Sequence, residues 1–292
     1  MTLGHVTVLA SDDGGRYPNG HSLLVRGREE TVLIDPSLTI AALDRPPEGV
    51  DRLIISHAHE DHLAGAFRYP DTPIHAHAAD VSGLQSLPGL MAVYGLPAHI
   101  EPRWATEVVE RFHFVPRPDA RAFSDGDTFD LGGVTLRVVH LPGHTSGHCG
   151  LIVEPGDLVF LADIDLSSFG PYYGDRSSGL DDFERSLVKC RELDARWYVT
   201  FHHKGVVEGR AAFLALLDEY EAAIGRRERA LLAMLDEPRT IDEIVAKRFI
   251  YRPHVTLMFV EGVERRSAEL HLERLIAREQ VDEVEPGRYR RR

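Results

Sequence analysis

The chain has 292 residues, 43% of them hydrophobic, and a net charge of −13. That is apolar material for one large domain plus a small one; it excludes a disordered chain, and the acidic balance disfavours phosphate backbones as partners. The 2 Cys are too few for a disulfide framework, and they form no C-x-x-C pair of the kind that ligates metal. Cys149 and Cys190 read as packed thiols in a reducing compartment. No basic leader followed by an apolar run is visible at Met1–His5, and no stretch approaches the roughly 18 apolar residues of a membrane helix. A cytoplasmic location away from membranes is expected.

Residues 3–10 and 21–27 read as strands, joined by the turn-rich stretch 11–20 as a surface hairpin. Thr31–Ile34 is the next strand and ends at Asp35-Pro36. Leu53-Ile54-Ile55 is an apolar run of the kind a buried strand needs. Directly behind it, Ser56-His57-Ala58-His59-Glu60-Asp61-His62 gathers three imidazoles and two carboxylates between His57 and His62, of which Asp61 is the candidate ligand. An extended backbone points His57 and His59 the same way. Asp61 and His62 come where Leu63–Phe67 can start a helix, so they face a second point nearby. Neutral imidazole and carboxylate are donors that Zn²⁺ and similar divalent ions accept.

His75 and His77 repeat the period-two spacing without an Asp-His continuation and read as structural. Residues 83–115, punctuated by Pro and Gly, read as an insertion or a partly helical cap over the site. Val134–His140 alternates as a strand and leads into Pro142-Gly143-His144-Thr145. The apolar strand Leu158–Leu161 runs into Asp163, with Asp165 as a competing carboxylate. The Gly/Pro loop 167–175 carries Tyr172 and Tyr173, candidates for contact with a substrate. Asp181–Leu193 reads as a helix burying Phe183, Leu187, Val188 and Cys190. Trp197–Thr200 is a strand, followed by His202-His203.

Beyond this point the pattern changes. Residues 209–235 read as mostly helical, and Thr240 with Glu243 fits a capping box. Leu270, Leu272, Leu275 and Ile276 mark a further helix. Val281–Val284, a Pro286-Gly287 turn and Arg288–Arg290 make a hairpin. The order resembles a small winged-helix domain. From residue 218 on, about 15 basic residues face about 16 acidic ones, a balance that suits packing against protein better than gripping DNA.

The H-x-H-x-D-H pattern at 57–62 resembles the signature of the metallo-β-lactamase-fold hydrolases, and the resemblance covers roughly residues 1–210. It implies an α/β fold, an αββα sandwich over 1–210 with a metal site at one edge, followed by the winged-helix-like unit over 211–292. It also implies a ligand set. His57, His59 and His144 are expected on one ion, Asp61, His62 and His203 on a second, and Asp163 between them. Asp35 is expected to support the site from behind, and His140 and His148 to support or pack. Val206-Val207-Glu208 aligns His203, not His202, with the family's last ligand. His202 replaces a Gly of the family pattern and is expected at the rim, within reach of substrate.

Two adjacent ions, zinc first with iron or manganese as alternatives, can hold a bridging hydroxide at neutral pH, with Asp61 orienting it as a catalytic residue. No G-x-S-x-G elbow is present, and no Ser or Cys nucleophile is required. The expected activity is hydrolysis of a small ester, lactone or thioester. Two other readings stay open: a metal-dependent nuclease, and a regulatory or binding protein acting through its C-terminal unit. A small-molecule substrate and homo-oligomerisation are the expected partnerships.

Overall fold

A computed structural model describes all residues, 1–292. Two sheets stack face to face. The first has seven strands in chain order: β1 (Thr2–Leu3), β2 (Val6–Leu9), β3 (Ser22–Arg26), β4 (Thr31–Ile34), β5 (Arg52–Ile54), β6 (Ile74–His77) and β7 (Arg121–Phe123). Strands β1 to β4 pair antiparallel, and β4 to β7 pair parallel. The second sheet comprises β8 (Thr128–Asp130), β9 (Thr135–His140), β10 (Cys149–Glu154), β11 (Leu158–Phe160), β12 (Trp197–Val199) and β13 (Val206–Glu208). Its spatial order is β13-β12-β11-β10-β9-β8. Strands β7, β10 and β13 are additions to the sequence reading.

Strand alternation builds the layers. Val32 and Ile34 enter the core between the sheets, while Leu33 on the same strand faces the outer cluster. In β9, Leu136 and Val138 face inward and Val139 outward. The outer face of the first sheet is covered by α3 (Val81–Gln85), α4 (Leu87–Tyr94) and α5 (Glu101–Glu110), which follow the short helices α1 (Leu38–Ala41) and α2 (Glu60–Leu63). The stretch 83–115 is therefore largely helical. The outer face of the second sheet carries α6 (Leu180–Glu192) and the first half of α7 (Arg210–Met234). Helix α6 buries Phe183, Leu187 and Cys190 as expected, but Val188 is 55% exposed, because residue 188 lies beyond the edge of the buried stripe.

Past α7 come β14 (Arg239–Thr240), α8 (Ile241–Lys247), α9 (Val260–Ala277), β15 (Val281–Glu285) and β16 (Arg288–Arg291), the three strands forming a small sheet. Thr240 and Glu243 cap α8 reciprocally. The packing boundary does not fall at 210–211. Phe213, Leu217, Tyr220 and Ile224 of α7 belong to the cluster under the second sheet, and Leu231 belongs to the cluster of the C-terminal unit. One continuous helix thus crosses from the sandwich to the tail. No helix is long and apolar enough to cross a membrane.

Candidate functional site

The site lies where strands of both sheets end. β5 delivers the His57–His62 loop, whose last residues become the first turn of α2. β9 leads to His144, β11 to Asp163 and β12 to His202. Two groups of donor atoms converge there: His57, His59, His144 and Asp163, and beside them Asp61, His62 and His202. Within the first group, His57 Nε2, His59 Nδ1 and His144 Nε2 lie 3.0–3.1 Å from one another. Asp163 reaches both groups: Oδ1 is 3.1 Å from His62 Nε2, and Oδ2 is 3.3 Å from His144 Nε2.

The outer nitrogen of four of these rings is spoken for. His59 Nε2 donates to Asp175 Oδ2 at 2.7 Å, and His62 Nδ1 to Asp35 Oδ2 at 2.8 Å. His144 Nδ1 donates to Tyr172 O at 3.1 Å, and His202 Nδ1 to Gly15 O and Asn19 O, both at 3.0 Å. A neutral imidazole that donates outward presents a bare lone pair inward. The inner nitrogens therefore face one another as acceptors with nothing to accept. Asp61 Oδ2, His62 Nε2 and Asp163 Oδ1 are also buried without a hydrogen-bond partner. Such an arrangement fits a divalent cation. Nitrogen ligands about 2.0–2.1 Å from a tetrahedral zinc stand about 3.3 Å apart, close to the spacing found here.

Without a cation, the same crowding redistributes protons. Burial opposes charge on His62, but Asp163, Asp35 and Asp61 raise its pKa well above the usual value. Burial likewise opposes charge on His59, and Asp175 overrides it, to about 9. His202 is carried to about 9 against its burial by Asp163 and Asp61. His57 goes the other way, held well below the usual value by burial and then by His62 and His144. A bound ion would take the place of those protons, as ligand deprotonation on metal binding requires.

Supporting residues fix the frame. Asp35, with φ 47° at the end of β4, accepts from Ser56 N at 2.7 Å and Ser56 Oγ at 2.6 Å as well as from His62. His148 accepts from Asp163 N at 3.1 Å and donates to Leu141 O at 2.9 Å, which anchors the strained turn at Ala162, φ 47°. His140 stacks on His77 and bonds Ser146 O, and His75 bonds Arg52, all away from the donor cluster. Buried Asp80 accepts from Ala58 N at 3.0 Å, Thr145 Oγ1 at 2.6 Å and Gly147 N at 2.8 Å, tying the His57–His59 loop to the His144 loop. Residue 147 must be Gly there: a Cβ would stand 2.5 Å from Asp80 Cγ.

Three expected positions change. His202, not His203, joins Asp61, with Nε2 3.0 Å from Asp61 Oδ2. The side chain of His203 is 39% exposed and 3.7 Å from Asp165. The physical reason is the turn after β12: Phe201 is buried and stacks on His62, so His202 turns to the donor cluster, and φ 56° at His203 swings the next side chain away. Tyr173 is not at the pocket; it is 1% exposed, with its hydroxyl 2.9 Å from His271 Nε2 on α9. Tyr172 does line the pocket, its hydroxyl donating to Asp175 at 3.1 Å.

The donor groups open into a cavity of about 630 Å³. Its walls include residues to which the sequence alone assigns no role: Tyr17, Glu60, Tyr94 and Trp104, and, from the C-terminal unit, Ile250, Tyr251, Leu257 and Phe259. Glu60 is buried and takes hydrogen bonds from the hydroxyls of Tyr17, at 2.8 Å, and Tyr94, at 2.5 Å. Asp175 ends a Gly/Pro loop like any turn Asp, and nothing in the sequence marks it as a partner of His59.

The fold and the sequence have counterparts among known proteins. A metallo-beta-lactamase family protein from Thermus thermophilus superposes with a TM-score of 0.72 at 24% identity, covering 99% of each chain, a likeness of fold. Among curated relatives, the acyl-coenzyme A thioesterase of Gallus gallus is 27% identical over 197 residues, 60% of this chain and 68% of the relative. The hydroxyacylglutathione hydrolase of Acidiphilium cryptum is 26% identical over 260 residues, 86% of this chain and 90% of the relative. The chain spans 57–66% of the length of the curated relatives that match first. The sequence pattern of the metallo-beta-lactamase superfamily matches residues 16–203, more than half of the chain, and with the donor cluster at 57–62, 144, 163 and 202 this chain belongs to that superfamily.

Proposed function

We propose that the chain is a dinuclear metal-dependent hydrolase acting on a small ester, lactone or thioester. The observation that carries this reading is the pair of converging donor groups, in which Asp61 Oδ2, His62 Nε2 and Asp163 Oδ1 are buried with no hydrogen-bond partner. His57, His59 and His144 would hold one ion, Asp61, His62 and His202 the other, with Asp163 shared; zinc suits this nitrogen-rich set, and iron or manganese are the alternatives. Such ions, when bound, lower the pKa of water to near neutrality and polarise the oxygen of the scissile group. Asp61, which lies beside both His62 and His202, would orient the attacking water. Asp35 and Asp175 hold the rings of His62 and His59 in the tautomer that presents a lone pair inward.

The acyl-transfer chemistry is supported by the names of the thioesterase and hydroxyacylglutathione hydrolase relatives. A cavity of about 630 Å³, walled on one side by the chain's own C-terminal unit, suits a small molecule. Tyr17, Tyr94, Trp104, Tyr172, Tyr251 and Phe259 line part of it with aromatic rings. The test is metal analysis of gently purified protein together with turnover of an ester, lactone and thioester panel, with and without a chelator. The expected result is about two ions per chain and activity that the chelator abolishes and added zinc restores. Full activity in metal-free protein would overturn the reading.

A further inference from the structure

Twelve residues without regular structure, 248–259, join α8 to α9. A connection of this length inside a compact unit usually has a task. This one is built, not loose. Glu264 of α9 is fully buried, and its carboxylate accepts the backbone N–H groups of Phe249 at 3.0 Å, Ile250 at 3.2 Å and Tyr251 at 2.7 Å. At the other side, Arg248 sits at φ 57°, and its guanidinium donates to Pro253 O at 3.2 Å and Val255 O at 2.7 Å. A buried carboxylate satisfied by three amides fixes the backbone more firmly than a loop's own turns do. The segment so fixed lays its side chains against the sandwich: Phe259 meets Tyr17 and Trp104 edge to face, and Tyr251 meets Phe169. Leu257 is 44% exposed yet lines the same cavity as the donor groups.

We infer that the segment 249–259, pinned by Glu264, is the wall that selects the acyl part of the substrate, and that it selects an apolar chain of several carbons over a short or polar one. The inference rests on the hydrolase reading above. The scissile carbonyl would sit at the donor groups, and the alkyl chain would run along Trp104, Tyr251, Leu257 and Phe259. An exposed leucine and a row of aromatic rings gain from covering by methylenes and lose from covering by polar groups. Glu264 acts through the segment and is a positioning residue.

The test uses full-length, zinc-replete protein with acetyl and octanoyl esters and thioesters of one leaving group. Calorimetric binding of decanoate, with metal content as a control, is a second readout. The expected result is a kcat/KM for octanoyl above that for acetyl, with the octanoyl-to-acetyl ratio falling by about tenfold or more in Leu257→Asp. Glu264→Gln should lower the same ratio mainly through KM for octanoyl, with metal content retained, and Glu264→Asp should restore part of it. Decanoate should bind the native chain and bind Leu257→Asp at least about tenfold more weakly. An unchanged ratio in Leu257→Asp, with hydrolysis intact, overturns the acyl wall and leaves the hydrolase reading standing. Decanoate binding that Leu257→Asp weakens, in a protein that hydrolyses none of the panel, leaves the apolar site standing and overturns the hydrolase reading. Decanoate binding equal in both proteins overturns the wall.

Discussion

Adjacent histidines at the end of β12 take different surroundings, and the difference is set by backbone rather than by residue type. The carbonyls of Gly15 and Asn19 receive the Nδ1 proton of His202 and aim its Nε2 at Asp61. His203 turns out toward Asp165. His202→Ala is therefore expected to lose the second ion and to cut turnover by orders of magnitude, while His203→Ala keeps both ions and most of the turnover. Metal content and kcat of the two variants decide it; metal loss from the His203 variant alone would reverse the assignment. The H-x-H-x-D-H residues are legible in the sequence because neighbouring positions carry the donors by themselves. The last histidine is not, since the carbonyls that choose it come from a loop about 185 residues earlier.

Single elements show the same division. The strands β4, β9 and β11 can be read from alternation or apolar runs alone, as can α6 and α9. The β10 strand, Cys149–Glu154, stands unmarked between the His144 turn and β11, although it is the partner of both β9 and β11. Connections between elements are held by groups that no periodicity reports, and Asp80 is the clearest case. Asp80→Ala leaves two backbone amides and the Thr145 hydroxyl without their acceptor in a buried place, a loss of about 3 kcal/mol by urea unfolding. Val188→Lys on α6 is the contrasting case: the exposed position should change stability by no more than about 0.5 kcal/mol. A large loss there, or none at Asp80, would refute this account of the packing.

Across the whole molecule, α7 makes the sandwich and the tail interdependent. A chain ending at residue 210 would lose Phe213, Leu217, Tyr220 and Ile224 from the cluster that covers the second sheet. Removing buried side chains of this size costs about 2–5 kcal/mol each, in sum comparable to or above the roughly 5–15 kcal/mol that holds a typical domain folded. Such a truncation should give no cooperative thermal transition by circular dichroism, whereas the full chain should show one. A folded, metal-binding fragment 1–210 would show that the boundary lies where the sequence pattern changes. The tail is tied down further by Arg274 of α9, whose guanidinium donates to Asp181 at 3.0 Å and Glu184 at 2.8 Å on α6.

The sequence by itself determined the sandwich, the place of the His-rich loop at a strand end and most of the donor set. The strands and the His-rich loop follow from local spacing, period two in strands and ligands one or two residues apart, whereas the sandwich and the donors beyond residue 62 come from the resemblance of the H-x-H-x-D-H pattern to the family. Only the tertiary structure decided which of His202 and His203 faces Asp61, why Tyr173 belongs to the α9 contact, and that Glu264 holds a wall of the cavity. These depend on groups far apart in the chain that meet only when the two sheets and the C-terminal unit close on each other, and a hydrogen bond to a distant carbonyl leaves no period in the sequence.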